Sequence, residues 1–418
     1  MPPIRNRMLR VLAKTLAVQA VAVHFLCTCV LPCLSPPDQE SINVMRDDYR
    51  RRHGMYEIKL ISIEHNIFRE SEFRIFFRMD ENVFWKIAGL IQDDPVFHEW
   101  REHWSCVTSP AKSLGIVLYL LGHGATQRMT AEVFCVSQPH VCALLRRVAT
   151  AIMRLNPIRF PSTPQEYEAL RKSFWAKQTR QGLHGFNFVV GAMDGVNIYL
   201  HGQPRGKDAP SYFNARKQVH CINNMITVGP SGLVMDAHVG FPGRVHDQRI
   251  VYEDDIDGTL DRVMPPGLVI LADCGFAPTR RILSAYRTSQ LRAPSLAMKM
   301  RYNSRLTRMR VEVERSIGRI KERFHFFQLP IEVNDVGFLS TLTLVAFGLN
   351  NLIELGGDLS RFFEAGVHIA NQGDIGPVVA LPDELVGEQV RLWRAASTYV
   401  QNVGDNLVAD LQQADADD

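Results

Sequence analysis

The chain has no CxxC pair, and its eight cysteines form no Cys/His set at zinc-finger spacing. A structural zinc ribbon or finger is therefore excluded as the source of its fold. Cys27, Cys29 and Cys33 cluster near the N-terminus, while Cys106, Cys135, Cys142, Cys221 and Cys274 stand singly, mostly in apolar runs. Buried free thiols of a reducing compartment are spaced in this way. Charge of one sign is also scarce, with 47 Lys and Arg against 44 Asp and Glu and a net charge of +3. Overall charge does not mark a nucleic-acid binder, so any DNA affinity must come from local clusters. No internal repeat is present, which removes the repeat architectures.

An unbroken hydrophobic span is lacking too. The apolar run 16–34 is interrupted by Gln19, His24, Thr28 and Pro32, and Arg5, Arg7, Arg10 and Lys14 precede it. Basic residues before an apolar stretch resemble a secretory signal. A membrane anchor, a plain amphipathic helix or a wrongly assigned first exon fit the same residues. The rest of the chain reads as intracellular, so a nuclear protein, also cytoplasmic, with no membrane association is expected. Secretion or anchoring is the alternative if residues 5–34 act as a signal.

What is present suits a soluble globular protein: 418 residues, 46% hydrophobic and 22% charged, enough for two or three domains. Residues 1–55 read as an N-terminal extension, signal-like or disordered. Residues 56–160 read as a helical region, with Phe73, Phe77, Phe84, Ile87 and Ile91 near helical spacing. Segments 130–137 and 138–155, joined by a turn at Val136–Pro139, suggest a helix-turn-helix. Arg146, Arg147 and Arg154 on its second helix face phosphate in that reading; a helical bundle with a solvated basic face is the alternative.

From residue 186 the pattern becomes β-rich. Runs 186–200, 218–228 and 232–241 read as strands, the last two joined through the GPSG turn at 229–232. A helical stretch follows at 246–260, then a strand at 267–273, helical material at 277–287, and helices near 305–325 and 338–355. Three antiparallel strands followed by strands alternating with helices predict an α/β fold. It is a ribonuclease-H-like mixed sheet flanked by helices, over 181–357, preceded by the helix-turn-helix-like region. Residues 373–418 read as an acidic tail, partly disordered, with five Asp and no Lys or Arg after 404.

Two strands end on or contain aspartates. Asp194 lies in the first apolar strand, and Asp273 ends the run VILAD. Glu314 sits on an Arg-rich helix. An ionised carboxylate in an apolar strand is costly unless it is paired or bound to metal. Two strand aspartates and a helical glutamate can meet at one edge of a sheet. Such a set suits phosphodiester cleavage, in which two divalent ions stabilise the attacking and leaving oxygens. Mg²⁺ or Mn²⁺ with hard oxygen ligands fits the lack of a His/Cys cluster. Each residue also has a plainer reading: Asp194 with Gly195 as a turn, Asp273 as a helix cap, and Glu314 paired with Arg310 one helical turn away.

The ordered motifs GAMDGVNI, YFNARK, GFPGRVHDQRI, LADCGF and RVEVERSIGRIKERF resemble the PIF/Harbinger group of DDE transposases, including the Harbinger-transposase-derived nucleases. The resemblance spans roughly 70–355. It implies a ribonuclease-H-like fold and a divalent-metal site with Asp194, Asp273 and Glu314 as catalytic residues. It adds Asp247 as a further metal residue, for which a helix N-cap is the alternative. His246 is expected to support or pack, Glu312 to face elsewhere on its helix, and Asp236 has no motif role. The family's Asn-Arg-Lys-Gly is altered here, since Ala215 separates Asn214 from Arg216 and Gln218 follows Lys217. Its Leu-His-Asn reads Leu349, Asn350, Asn351.

Between 300 and 325 there are eight Lys and Arg (Arg301, Arg305, Arg308, Arg310, Arg315, Arg319, Lys321, Arg323) against three Glu. With Arg205, Lys207, Arg216 and Lys217 they make a candidate DNA-tracking surface, or else a solvated basic face. The expected function is a metal-dependent DNA endonuclease or transposase using two metal ions. The alternative is a catalytically silent, domesticated transposase acting as a DNA- or protein-binding factor. DNA is the expected partner. A Myb-like DNA-binding protein is expected by resemblance, and a second copy of the chain is a further candidate partner.

Overall fold

Three consecutive helix starts in the first half of the chain are set by hydroxyl caps. In the computed structural model, which describes residues 70–98, 108–134, 136–180, 186–205, 208–291, 296–331 and 335–362, Ser109 Oγ accepts from Lys112 N at the head of α3 (Pro110–His123). Thr126 and Ser137 do the same for α4 (Gln127–Val133) and α5 (Gln138–Arg154). Each cap satisfies a backbone N–H that the helix itself leaves unpaired. Before them come α1 (Glu70–Phe77) and α2 (Glu81–Ile91), whose Phe73, Phe77, Phe84, Ile87 and Ile91 are buried at the predicted spacing. Phe84 meets Phe73 and Phe77 ring to ring, 5.5 and 5.3 Å between centroids. The expectations for 1–55, 373–418 and Lys207 lie outside the described residues.

The sheet grows from β1 (Val189–Tyr199), β3 (Val219–Val228) and β4 (Val234–Pro242), paired antiparallel as predicted. The short β2 (Phe213–Asn214) pairs with β3. On the other side of β1 lie β5 (Val269–Ala272) and β6 (Ile282–Ser284), both parallel. The sheet is thus mixed, in the order β2-β3-β1-β5-β6, with β4 also on β3. Helix α6 (Pro164–Arg180) and the pair α7 (Asp247–Glu253) and α8 (Ile256–Val263) supply apolar residues to a core with Val190, Met193, Met225 and Ile270. Helix α9 (Leu296–Arg323) packs along β1, and α10 (Val336–Glu354) packs on β4 and α5. This is the ribonuclease-H-like mixed sheet flanked by helices that the sequence predicts, preceded by a helical region.

One element differs from expectation. Residues 277–287 were expected to be helical, but Ile282–Ser284 form strand β6 beside β5. Arg281 explains the change. Its buried guanidinium bonds Asp261 Oδ1 at 2.5 Å and the carbonyls of Pro265, Met264 and Leu268. Thr279 Oγ1 accepts from Arg281 N and Ile282 N, turning the chain. Side-chain anchoring and turn chemistry override the local apolar spacing here. Helix α9 also begins about nine residues before its predicted start, at Leu296.

Asn351 joins two parts of the fold. Its Nδ2 donates to Pro157 O and Val234 O at 2.8 and 2.7 Å, and its Oδ1 accepts from Val234 N at 2.9 Å. The segment after α5 is thereby bonded to the sheet through α10.

Candidate active site

Strand register brings the two aspartates together. Ala192 pairs with Leu271; two residues on from each come Asp194, inside β1, and Asp273, just past the end of β5. The two charges act on each other there. Asp247 is the first residue of α7, where free helix N–H groups favour a negative charge. It reaches β1 because Gly195 has no side chain: a Cβ there would sit 3.0 Å from Asp247 Oδ1. Burial pushes the Asp194 carboxyl above its ordinary range; Arg310 opposes that, while Asp273 and Asp247 add to it. Burial and then Asp273 push Asp247 the same way, against Lys217 and Arg216. Three carboxylates therefore lie within electrostatic reach of one another, in a pocket that disfavours their combined negative charge.

Helix α9 brings the fourth acid. Arg310 Nη2 donates to Asp194 Oδ2 at 2.8 Å, and its Nη1 lies 3.8 Å from Glu314 Oε1. Glu314 is about half exposed and Arg310 is buried. Glu312 turns away, pairing with Lys177 at 3.0 Å and Arg315 at 3.1 Å. The i,i+4 pairing of Arg310 with Glu314 follows from sequence spacing. The pairing of Arg310 with Asp194 does not, because no sequence signal links an α9 residue to a β1 residue so far away.

Two of the sequence motifs hold each other. Asn214 Nδ2 and Asn223 Nδ2 both donate to Gly243 O, and Asn223 also donates to Val245 O. Arg244 N bonds Ser211 O. The segment leading to Asp247 is fixed in this way beside 212–217. Lys217 Nζ bonds Asn197 Oδ1, which holds the ammonium near Asp247 and Asp194. Burial lowers the Lys217 pKa. Asn197, Asn223 and Gly195 were not picked out from the sequence as site residues. Their signal is the asparagine and glycine placed inside otherwise apolar strands.

The basic residues divide into two groups. Arg216 and Lys217 stand beside the carboxylates, with Arg216 exposed. Arg146 faces α10, with its guanidinium 4.6 Å over the Phe338 ring and 3.8 Å from Asp335. Arg147 is partly buried, which lowers its pKa. Arg154 pairs with Asp94. Arg323 bonds Asn350 and Glu354, and the buried Nε and Nη2 of Arg319 point toward Gly232 in the β3–β4 turn. Arg315 remains exposed, and Lys321 is partly buried. Asp236 does not join the carboxylates: with Asp254 it holds His238 between β4 and the end of α7.

A hard divalent cation fits this donor set. All four acids offer oxygens, and the room made by Gly195 brings Asp247 against β1. As the side chains stand, no group of three or more His, Cys, Asp or Glu among the described residues is close enough to hold an ion.

Residues 193–351 match the model of the DDE superfamily endonuclease domain. The chain is similar to the Xenopus laevis protein named "Putative nuclease HARBI1", 22% identical over 224 residues. The alignment covers 53% of this chain and 60% of that protein, so the chain spans less than two thirds of this relative's length. No solved structure matches the chain. The matched span runs from β1 to Asn351, and so contains all four acids.

Proposed function

We propose that this protein is a divalent-metal-dependent nuclease that cleaves DNA phosphodiester bonds, a reading supported by the match of residues 193–351 to the DDE superfamily endonuclease model and the similarity to a protein named as a nuclease. The observation that carries the reading is the convergence of Asp194, Asp247 and Asp273, with burial and mutual repulsion raising the first two. Asp194, Asp247, Asp273 and Glu314 would hold Mg²⁺ or Mn²⁺. When bound, the metal supplies Lewis-acid charge to the scissile phosphate and acidifies a water.

The chain's own groups do the rest. Asp194 on β1 and Asp273 just past the end of β5 set the floor of the site. Asp247 is fixed from the side by the bonded segment before α7. Lys217 and Arg216 stand where a DNA phosphate would approach, and the exposed Arg301, Arg308 and Arg315 extend a positive path along α9. A DNA substrate makes the nucleus the place of action.

The test is cleavage of a labelled DNA duplex by the full chain in Mg²⁺ or Mn²⁺. Asp273→Asn is expected to lower the rate by about a thousandfold or more, the several kcal/mol of charge stabilisation lost with a metal ligand. Wild-type cleavage by Asp273→Asn would sink the assignment. A second reading is a DNA-binding factor without cleavage, favoured by the Arg310 guanidinium on Asp194. That reading predicts DNA binding unchanged by Asp273→Asn and no cleavage by the wild type.

A further inference from the structure

We propose that Arg310 is a positioning residue that serves as a built-in cation. It holds Asp194 and Glu314 in place until a divalent metal displaces it, and so sets how strongly the resting site resists the metal. The proposal rests on the metal-dependent reading above.

Its first support is geometric. One guanidinium spans carboxylates on two separate elements, 2.8 Å from Asp194 on β1 and 3.8 Å from Glu314 on α9. Its second support is how poorly that guanidinium is satisfied. Arg281 is equally buried and is bonded to Asp261 and three backbone carbonyls. Arg310 has one short bond and one long ion pair, and its Nε has no partner in the structure. Arg78 and Arg319 also carry buried nitrogens without a partner, but of the three it is Arg310 that meets acids of the cluster. Arg310 resembles an anchor held for its charge, on the one member of the cluster that β1 places between Asp247 and α9.

The competition has a chemical direction. A divalent ion carries twice the charge and takes several oxygens at once, whereas Arg310 makes a single contact with each carboxylate. Once displaced, the side chain stays tethered beside Glu314 on a helix already lined with basic groups, where a DNA phosphate can take it.

The test measures Mn²⁺ binding to the metal-free full chain, without DNA, by calorimetry and by the spin resonance signal of free Mn²⁺. Arg310→Gln is expected to bind Mn²⁺ at least about tenfold more tightly than wild type, about 1.4 kcal/mol. A purely structural arginine would do the reverse, because its loss would loosen the site. Arg310→Met, close in volume and uncharged, should act like Arg310→Gln if the latter folds poorly. Arg310→Lys keeps the charge but loses the fork whose two Nη atoms reach separate carboxylates, and should bind several-fold more tightly than wild type. If neither uncharged variant folds, equal affinity of Arg310→Lys and wild type overturns the proposal. Wild-type binding with equal or weaker binding by Arg310→Gln overturns the role of Arg310 and leaves the metal reading intact. Absence of Mn²⁺ binding in wild type and in every Arg310 variant overturns both.

Discussion

In the helical region each helix start from α3 to α5 has a hydroxyl cap, and Phe84 is closed in by Phe73 and Phe77. At the carboxylate end of the sheet the balance is reversed. Asp194 and Asp247 are partly buried and pushed toward protonation, and Arg310 keeps a buried nitrogen without a partner. The helical region leaves buried basic atoms without a partner, Arg78 Nε and His123 Nδ1, while the other region gathers acids that a cation would relieve. The contrast teaches where the chain holds stability and where it holds reactivity, because unrelieved charge is favourable only to a ligand that brings the opposite sign.

Three changes test the contrast, from the largest effect to the smallest. Phe84→Ala should cost about 3–5 kcal/mol in urea unfolding, through lost burial and a cavity, while Mn²⁺ affinity of the folded protein stays as in wild type. A shift in metal affinity would show that the two regions are not separable in this way.

Acidification should pull the regions in opposite directions. Burial, with Arg78 adding to it, lowers His123 from 6.5 to about 4. A lowered histidine contributes stability that is fully present above pH 6.5 and is lost as pH falls through about 4, at most about 3 kcal/mol. Asp194 and Asp247 are raised, so their contribution is present in acid, below the ordinary carboxylate range, and is lost as pH rises through their folded-state values. Unfolding of His123→Gln between pH 7 and pH 4.5 should show a smaller acid loss than wild type. An unchanged slope would remove His123 as its source.

The smallest effect is expected from Asp247→Asn in metal-free protein, a gain of up to about 1 kcal/mol set against the lost helix-dipole attraction. Adding Mn²⁺ should reverse the order, stabilising wild type more than the variant in a thermal shift assay. A metal-free variant less stable than wild type would mean that Asp247 is a cap and not a strained charge.

The sequence was informative where period or motif speaks. Long apolar, β-rich runs and the GPSG turn announced β1, β3 and β4, and VILAD announced β5 with Asp273 after it. Asp247 stood out through its motif, and its neighbourhood depends on the absent side chain of Gly195. Strand β6 was misread because Arg281 and Thr279 act through bonds to distant carbonyls that no local window contains. The altered motif at Gln218 has a physical content too. Its φ of 57° is a left-handed value, where glycine is at ease and glutamine is strained. Gln218 Nε2 bonds Ala215 O, so the extra residue helps hold the turn that replaces the glycine.

The bonds of Asn351 bear on how the molecule opens. Pro157, which follows α5, and Val234, at the start of β4, hang on one amide of α10. An opening that displaces the Asn351 amide frees both groups at once. Amide hydrogens at the end of the helical region and along the β3–β4 hairpin should therefore exchange with solvent in a common opening event. Under native conditions the two halves of the fold would share a single protection free energy at this seam, and the joint would behave as one cooperative unit.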